Sequence, residues 1–144
     1  MKKKLNCILL IDDDAATNFI NRRVIEKADI TENIFTALNG KEAINFLTNK
    51  GDHEKEEGAL YPQPNLILLD LNMPIMDGWE FLEAYEKLDE NQKSKIIIVM
   101  LTTSFNPDDK TRAEKINTIS GFKNKPLSAE ILNGLIKTHF PEYI

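Results

Sequence analysis

Short apolar runs bounded by charge alternate along this chain with longer segments whose apolar positions recur at helical spacing. That alternation predicts repeated strand–helix units and a parallel sheet covered by helices on both faces. The expected strands are Leu5 to Ile11, Asn33 to Ala37, Leu66 to Asp70, Ile96 to Leu101 and a short piece at Gly121 to Asn124. The first helix follows from Ala15, with Phe19, Ile20, Val24 and Ile25 as its inward stripe. The second starts near Gly40 and turns Ala43, Ile44 and Leu47 inward; the third starts near Gly78 and buries Phe81, Leu82 and Tyr85. The fourth begins at Pro107, whose fixed φ suits a first turn. The fifth runs from Ser128, an N-cap with Glu130 in the first turn, and presents Ile131, Leu132, Leu135 and Ile136.

The pattern breaks at Gly51 to Pro64. Residues 51–58 offer nothing apolar to bury, and Pro62 and Pro64 block a regular helix, so an exposed acidic loop is expected there. The 144 residues suit a single domain over 1–144 with no output domain. A net charge of −5 argues against wholesale binding to nucleic acid or to an anionic membrane. The apolar runs are too short to span a bilayer. Met1 to Lys4 has the charge of a signal-peptide start, but the run after it stops at Asp12 with no cleavage pattern, so the cytoplasm is the expected compartment. The single cysteine, Cys7, lies inside a strand pattern and reads as a buried thiol.

Polar residues at the strand ends carry the chemistry. The first strand ends in Asp12-Asp13-Asp14, the third in Asp70, the fourth in Thr102, and the fifth runs on to Lys125-Pro126. In parallel α/β sheets the carboxyl ends of the strands form the ligand edge, so these groups are expected to converge. Adjacent carboxylates repel, and a hard divalent cation such as Mg2+ relieves them with oxygen ligands and retained water. Asp14 is expected to face solvent at the start of the first helix. Asp70 is the expected nucleophile, since carboxylates can form acyl phosphates. The carbonyl of Asn72 is placed to turn back to the metal, Thr102 to bond a phosphoryl oxygen, and Lys125 to neutralise charge, its aim restricted by the proline that follows.

In combination these residues resemble the response-regulator receiver domain of two-component signalling, of the chemotaxis-type single-domain kind. The resemblance rests on Asp12-Asp13, Leu69-Asp70-Leu71-Asn72-Met73-Pro74 with Met76-Asp77-Gly78, Leu101-Thr102 and Lys125-Pro126, in order, and runs from about Lys4 to Phe140. It implies a flavodoxin-like (βα)5 fold with strand order 2-1-3-4-5, and a module that takes part in its own phosphorylation without being an ordinary enzyme. Asp70 would accept a phosphoryl group from a sensor histidine kinase or phosphotransfer protein. Asp13 would bind Mg2+ directly, Asp12 partly through water, Asp70 as a further carboxylate of the metal set, and Asn72 through its carbonyl. Lys125 would pair with the phosphoryl group, and Thr102 and Phe122 would be the switch pair. A downstream target protein would read the switch, with the chain a monomer or weak homodimer. The mixed-charge fourth helix (Asp108, Asp109, Lys110, Arg112, Glu114, Lys115) is expected to be solvated.

Some positions depart from the commonest pattern of that family. Phe122 stands where tyrosine is frequent, and Thr103 where a small residue is common. Ser104 and Asn72 occupy positions that tune phosphoryl lifetime and offer no strong base. The acidic loop resembles insertions in regulators that pair with phytochrome-type kinases. Haloacid-dehalogenase-type hydrolases use the same residue types. Their nucleophile usually closes the first strand with a second Asp two positions on, whereas here Asp70 closes the third and position 72 is Asn.

Overall fold

The computed structural model describes residues 4–48, 63–93, 96–103 and 106–143. Among them five parallel strands, β1 (Leu5–Ile11), β2 (Thr31–Ala37), β3 (Leu66–Leu69), β4 (Ile97–Thr102) and β5 (Ile119–Asn124), lie in the order β2-β1-β3-β4-β5. The connections are α1 (Ala15–Ala28), α2 (Gly40–Thr48), α3 (Gly78–Glu86) with a one-turn α4 (Glu90–Lys93), and α5 (Pro107–Glu114); α6 (Ala129–His139) follows β5. This is the expected doubly wound, flavodoxin-like topology. The strand order reverses between β1 and β3, which opens a crevice at their carboxyl ends. The expected acidic loop at 51–64 lies outside the described residues apart from its last two positions.

Alternation along the central strands builds two cores. Cys7, Leu9, Ile11, Ile67, Leu69, Ile98 and Met100 face Phe46, Phe81, Leu82 and Tyr85. Ile8, Leu10, Leu66, Leu68, Val99 and Leu101 face Ile25, Leu132, Leu135 and Ile136. Both faces of β1, β3 and β4 are thus buried, which is why those strands read as unbroken apolar runs. Cys7 is fully buried as expected, and burial pushes its thiol up to about 12.

The edge strands β2 and β5 each begin two residues earlier than expected. Their openings carry Thr31, Glu32 and Ser120, polar residues tolerated on an edge, so hydropathy alone misses them.

The inward face of α1 needs correction. Of the expected stripe Ile25 is buried and Val24 is partly buried against the same core, whereas Phe19 is 63% exposed and Ile20 is also exposed. The inward positions are Asn18, Asn21 and Ile25, spaced by three and four. Asp14 sets this phase. As N-cap it accepts from the Ala16 N–H and the Thr17 hydroxyl, fixing where the first turn begins. Two buried asparagines then sit where a hydrophobicity pattern looks for apolar residues.

Candidate functional site

Three of the expected site residues occupy the same structural position, one residue past the end of a strand. Each is still tied to the neighbouring strand by its backbone. The Asp12 N–H donates to the Ala37 carbonyl that ends β2, and the Asp70 N–H to the Ile11 carbonyl that ends β1. The Lys125 N–H donates to the carbonyl of Thr102, the last residue of β4, at 2.8 Å. The ladder thus continues one step beyond the sheet and delivers the side chains to one edge at one height.

Asp12, Asp13 and Asp70 meet there, offering carboxylate oxygens that all lie within 4.8 Å of one another. Asp12 and Asp70 are buried, and Asp13 is exposed. The Asp14 N–H donates to Asp12 Oδ1 at 2.9 Å, and Lys125 Nζ pairs with Asp12 Oδ2 and, at 3.3 Å, with Asp70 Oδ1. Burial first, and the charge of Asp12 second, hold the Asp70 carboxyl above its ordinary value, with Lys125 opposing. Burial works against the Lys125 ammonium, but Asp12 and Asp70 outweigh it and raise its pKa. The set is acidic, oxygen-only and half-open to water. Direct oxygen ligands of a small octahedral ion are separated by at most about 4.2 Å, and a bridging water extends that reach, so the three carboxylates can hold a metal ion.

Two close approaches fix the loop behind Asp70. A side chain on Gly78 would put its Cβ 2.5 Å from the Asp70 carbonyl oxygen, and the Gly78 N–H donates to the Leu71 carbonyl. A Cβ on Gly40 would lie 2.7 Å from Met76 Cγ, and the Gly40 N–H holds the Met76 carbonyl. Asp77 caps α3 in a capping box with Glu80, a D-x-x-E pattern legible in the chain. Gly78 is therefore needed for contact rather than for freedom of turn. The left-handed backbone in this loop falls on Ile75, with φ 67°.

The other expected residues divide. Thr102 is fully buried at the end of β4, while Thr103 after it is exposed and Ser104 lies outside the described residues. Asn72 is exposed on the loop after Asp70. Phe122 is partly buried on β5, two strands from Asp70, lining a groove of about 440 Å³ with Ile131 and Leu135 of α6. The Lys125-Pro126 peptide is cis. Asn18, which the sequence reading passed over, sends its side-chain amide to the Asp12 carbonyl. Arg112 of α5 is exposed but lies 4.2 Å over the ring of Trp79, so that helix face is more than solvated charge.

Residues 8–137 match the response regulator receiver domain family. Over 102 residues the chain is 38% identical to response regulator Rcp1 of Synechocystis sp., an alignment covering 71% of this chain; it spans 65% of Rcp1's own length. The fold matches the crystal structure of a two component response regulator from Cytophaga hutchinsonii with a TM-score of 0.82 and 33% identity, covering 97% of this chain and 100% of that one. It also matches the phosphorylated cyanobacterial phytochrome response regulator RcpA, with a TM-score of 0.74, 26% identity and 93% of each chain covered.

Proposed function

Since this chain belongs to the response regulator receiver domain family, a signalling module rather than a conventional enzyme, we propose that it is a phosphorelay regulator in which Asp70 accepts a phosphoryl group. The observation that carries this is the convergence of Asp12, Asp13 and Asp70 within 4.8 Å, with Lys125 bound to two of them. The single receiver domain is the working unit, and the cytoplasm its place of work. Among the described residues, no helix is long and apolar enough to cross a membrane.

Asp70 attacks phosphorus with a carboxylate oxygen, and the phosphorus–nitrogen bond of a phosphohistidine donor breaks as the new phosphorus–oxygen bond forms. The donor is a sensor histidine kinase or a phosphotransfer protein. Mg2+ is the cation the oxygen donors suit, and when bound it supplies charge neutralisation at the phosphoryl oxygens. Asp13, Asp12 and Asp70 would hold it, with the Asn72 carbonyl as a further ligand. Lys125 stands beside Asp70 and meets the incoming charge, so its ammonium moves from pairing carboxylates to pairing phosphate. Thr102 then closes on a phosphoryl oxygen, Phe122 follows inward, and a downstream target protein reads the altered face of α5, β5 and α6.

A protein donor also fits the rim. The exposed large apolar side chains among the described residues are Phe19, Ile20, Leu38 and Ile75, and all follow the carboxyl ends of β1, β2 or β3. A small-molecule donor has no need of such a border. Asp70→Asn is the test. Wild type should take up label from a small phosphodonor only with Mg2+ present and lose it to hydroxylamine, and Asp70→Asn should take up none. Equal labelling of the two proteins would refute the acceptor assignment.

A further inference from the structure

We propose that Asn18 is a positioning residue for the cation site, fixing the Asp12–Asp13 peptide so that both carboxylates face the ion. The inference rests on the reading of Asp12, Asp13 and Asp70 as a Mg2+ site. Asn18 is only 6% exposed, one turn into α1, on the face that packs against the sheet. Its Nδ2 donates to the Asp12 main-chain carbonyl at 2.9 Å, a buried bond spanning six residues. Its Oδ1 is buried with no hydrogen-bond partner among the described residues. A leucine would fill such a position and leave no acceptor stranded. The side chain thus gives nothing to packing that an apolar residue would not give better, and its one polar contact goes to the acidic turn.

That contact has a specific consequence. The carbonyl it holds belongs to the peptide joining Asp12 to Asp13. The peptide on the other side of Asp12 is held by its N–H to the Ala37 carbonyl, and the Asp12 carboxylate by the Asp14 N–H. With Asn18 the tethering of Asp12 is complete, and the start of the Asp13 backbone is set. Asp13 is the exposed member of the triad, and its side chain has no hydrogen-bond partner among the described residues, so the backbone before it is what anchors the reach of its carboxylate. Loss of the Asn18 amide frees that peptide to rotate and swings Asp13 away from Asp12 and Asp70. Groups that orient metal ligands from behind are commonly worth about 10–100-fold in metal affinity.

Asn18→Leu separates this role from a structural one. Mg2+ affinity is measured by titration of the purified chain without phosphodonor, and stability by denaturant unfolding in EDTA. The expected result is Mg2+ binding weakened by about 10-fold, with an unfolding midpoint no lower than wild type and a phosphorylation rate restored at saturating Mg2+. Should leucine disturb the packing, Asn18→Ala adds no volume and carries the same affinity test. Wild-type Mg2+ affinity in either variant overturns the proposal and leaves the site reading intact. A wild-type chain that binds no Mg2+ overturns the site reading itself.

Discussion

At the scale of single residues, the loop between β3 and α3 concentrates the unusual backbone. Ile75 adopts φ 67° although it is β-branched and 75% exposed, so its side chain earns no burial to offset the left-handed conformation. A left-handed L-residue costs roughly 1–2 kcal/mol, and glycine escapes that cost while losing about 0.5–1 kcal/mol through its freer unfolded chain. Ile75→Gly should therefore stabilise the chain by up to about 1 kcal/mol, or ~4 °C in melting midpoint. Calorimetry of the two proteins decides it, and an unchanged or lower midpoint would mean that Ile75 is not strained. The neighbouring Gly78 shows the opposite case. Its Cβ would meet the Asp70 carbonyl, so this glycine sets how closely α3 approaches Asp70. Sequence alone does not separate the two roles, because a D-G pair after a proline reads as a turn in either case.

At the scale of elements, the central strands were legible because both their faces are buried and each reads as a pure apolar run. The convergence of Asp12 and Asp70 was legible for the same reason, since the end of such a run marks the sheet's ligand edge; Lys125, past the edge strand β5, was legible only through the proline that follows it. The face of α1 was not. Its phase depends on the Asp14 cap and on Asn18 reaching back to Asp12, and neither leaves a hydrophobicity signal. The one-turn α4 carries no apolar pattern at all. The charged face of α5 hid a contact that composition cannot reveal, because a cation over an aromatic ring joins residues distant in the chain. Arg112 of α5 lies over Trp79 of α3, tying together two helices that flank the β4–α5 connection. If phosphorylation at Asp70 draws in Thr102 at the start of that connection, α5 moves and the stack opens. Trp79 is the only tryptophan in the chain, so its emission reports the stack directly. Phosphodonor with Mg2+ should change the emission of wild type and leave Arg112→Ala unresponsive. Arg112→Ala should also lose about 0.5–1 kcal/mol of stability. An equal response in both proteins would mean that the stack does not follow the switch.

At the scale of the whole molecule, the acidic edge trades stability for the capacity to bind. Asp70 is held above its ordinary carboxylate value by burial and by Asp12. Between the unfolded value of 3.8 and its higher native value, the folded chain binds more protons at Asp70 than the unfolded chain does. Stability from this group therefore falls as pH rises through that window, and at neutral pH the native state carries a charge that the unfolded chain accommodates more easily. Lys125 acts in the other direction: its raised pKa contributes stability that is present below 10.5 and lost as pH rises through its folded value. The upward shift of Asp70 persists with Lys125 in place, so the ammonium only partly offsets the burial of Asp70 and the charge of Asp12 beside it. A neutral side chain at position 70 should relieve the excess. Asp70→Asn is expected to melt a few degrees above wild type in EDTA at pH 7, and the difference should shrink as pH falls into the carboxylate range. Mg2+ should then reverse the ranking. A ligand at 100 times its dissociation constant stabilises the state that binds it by about 2.7 kcal/mol, and wild type gains this while the variant, short of one carboxylate, gains less. Thermal unfolding of both proteins in EDTA and in excess Mg2+ reads the four midpoints. An Asp70→Asn chain that melts below wild type in EDTA would show that the Lys125 pairing outweighs the cost of burying Asp70, and that the edge is held together by its charges rather than against them.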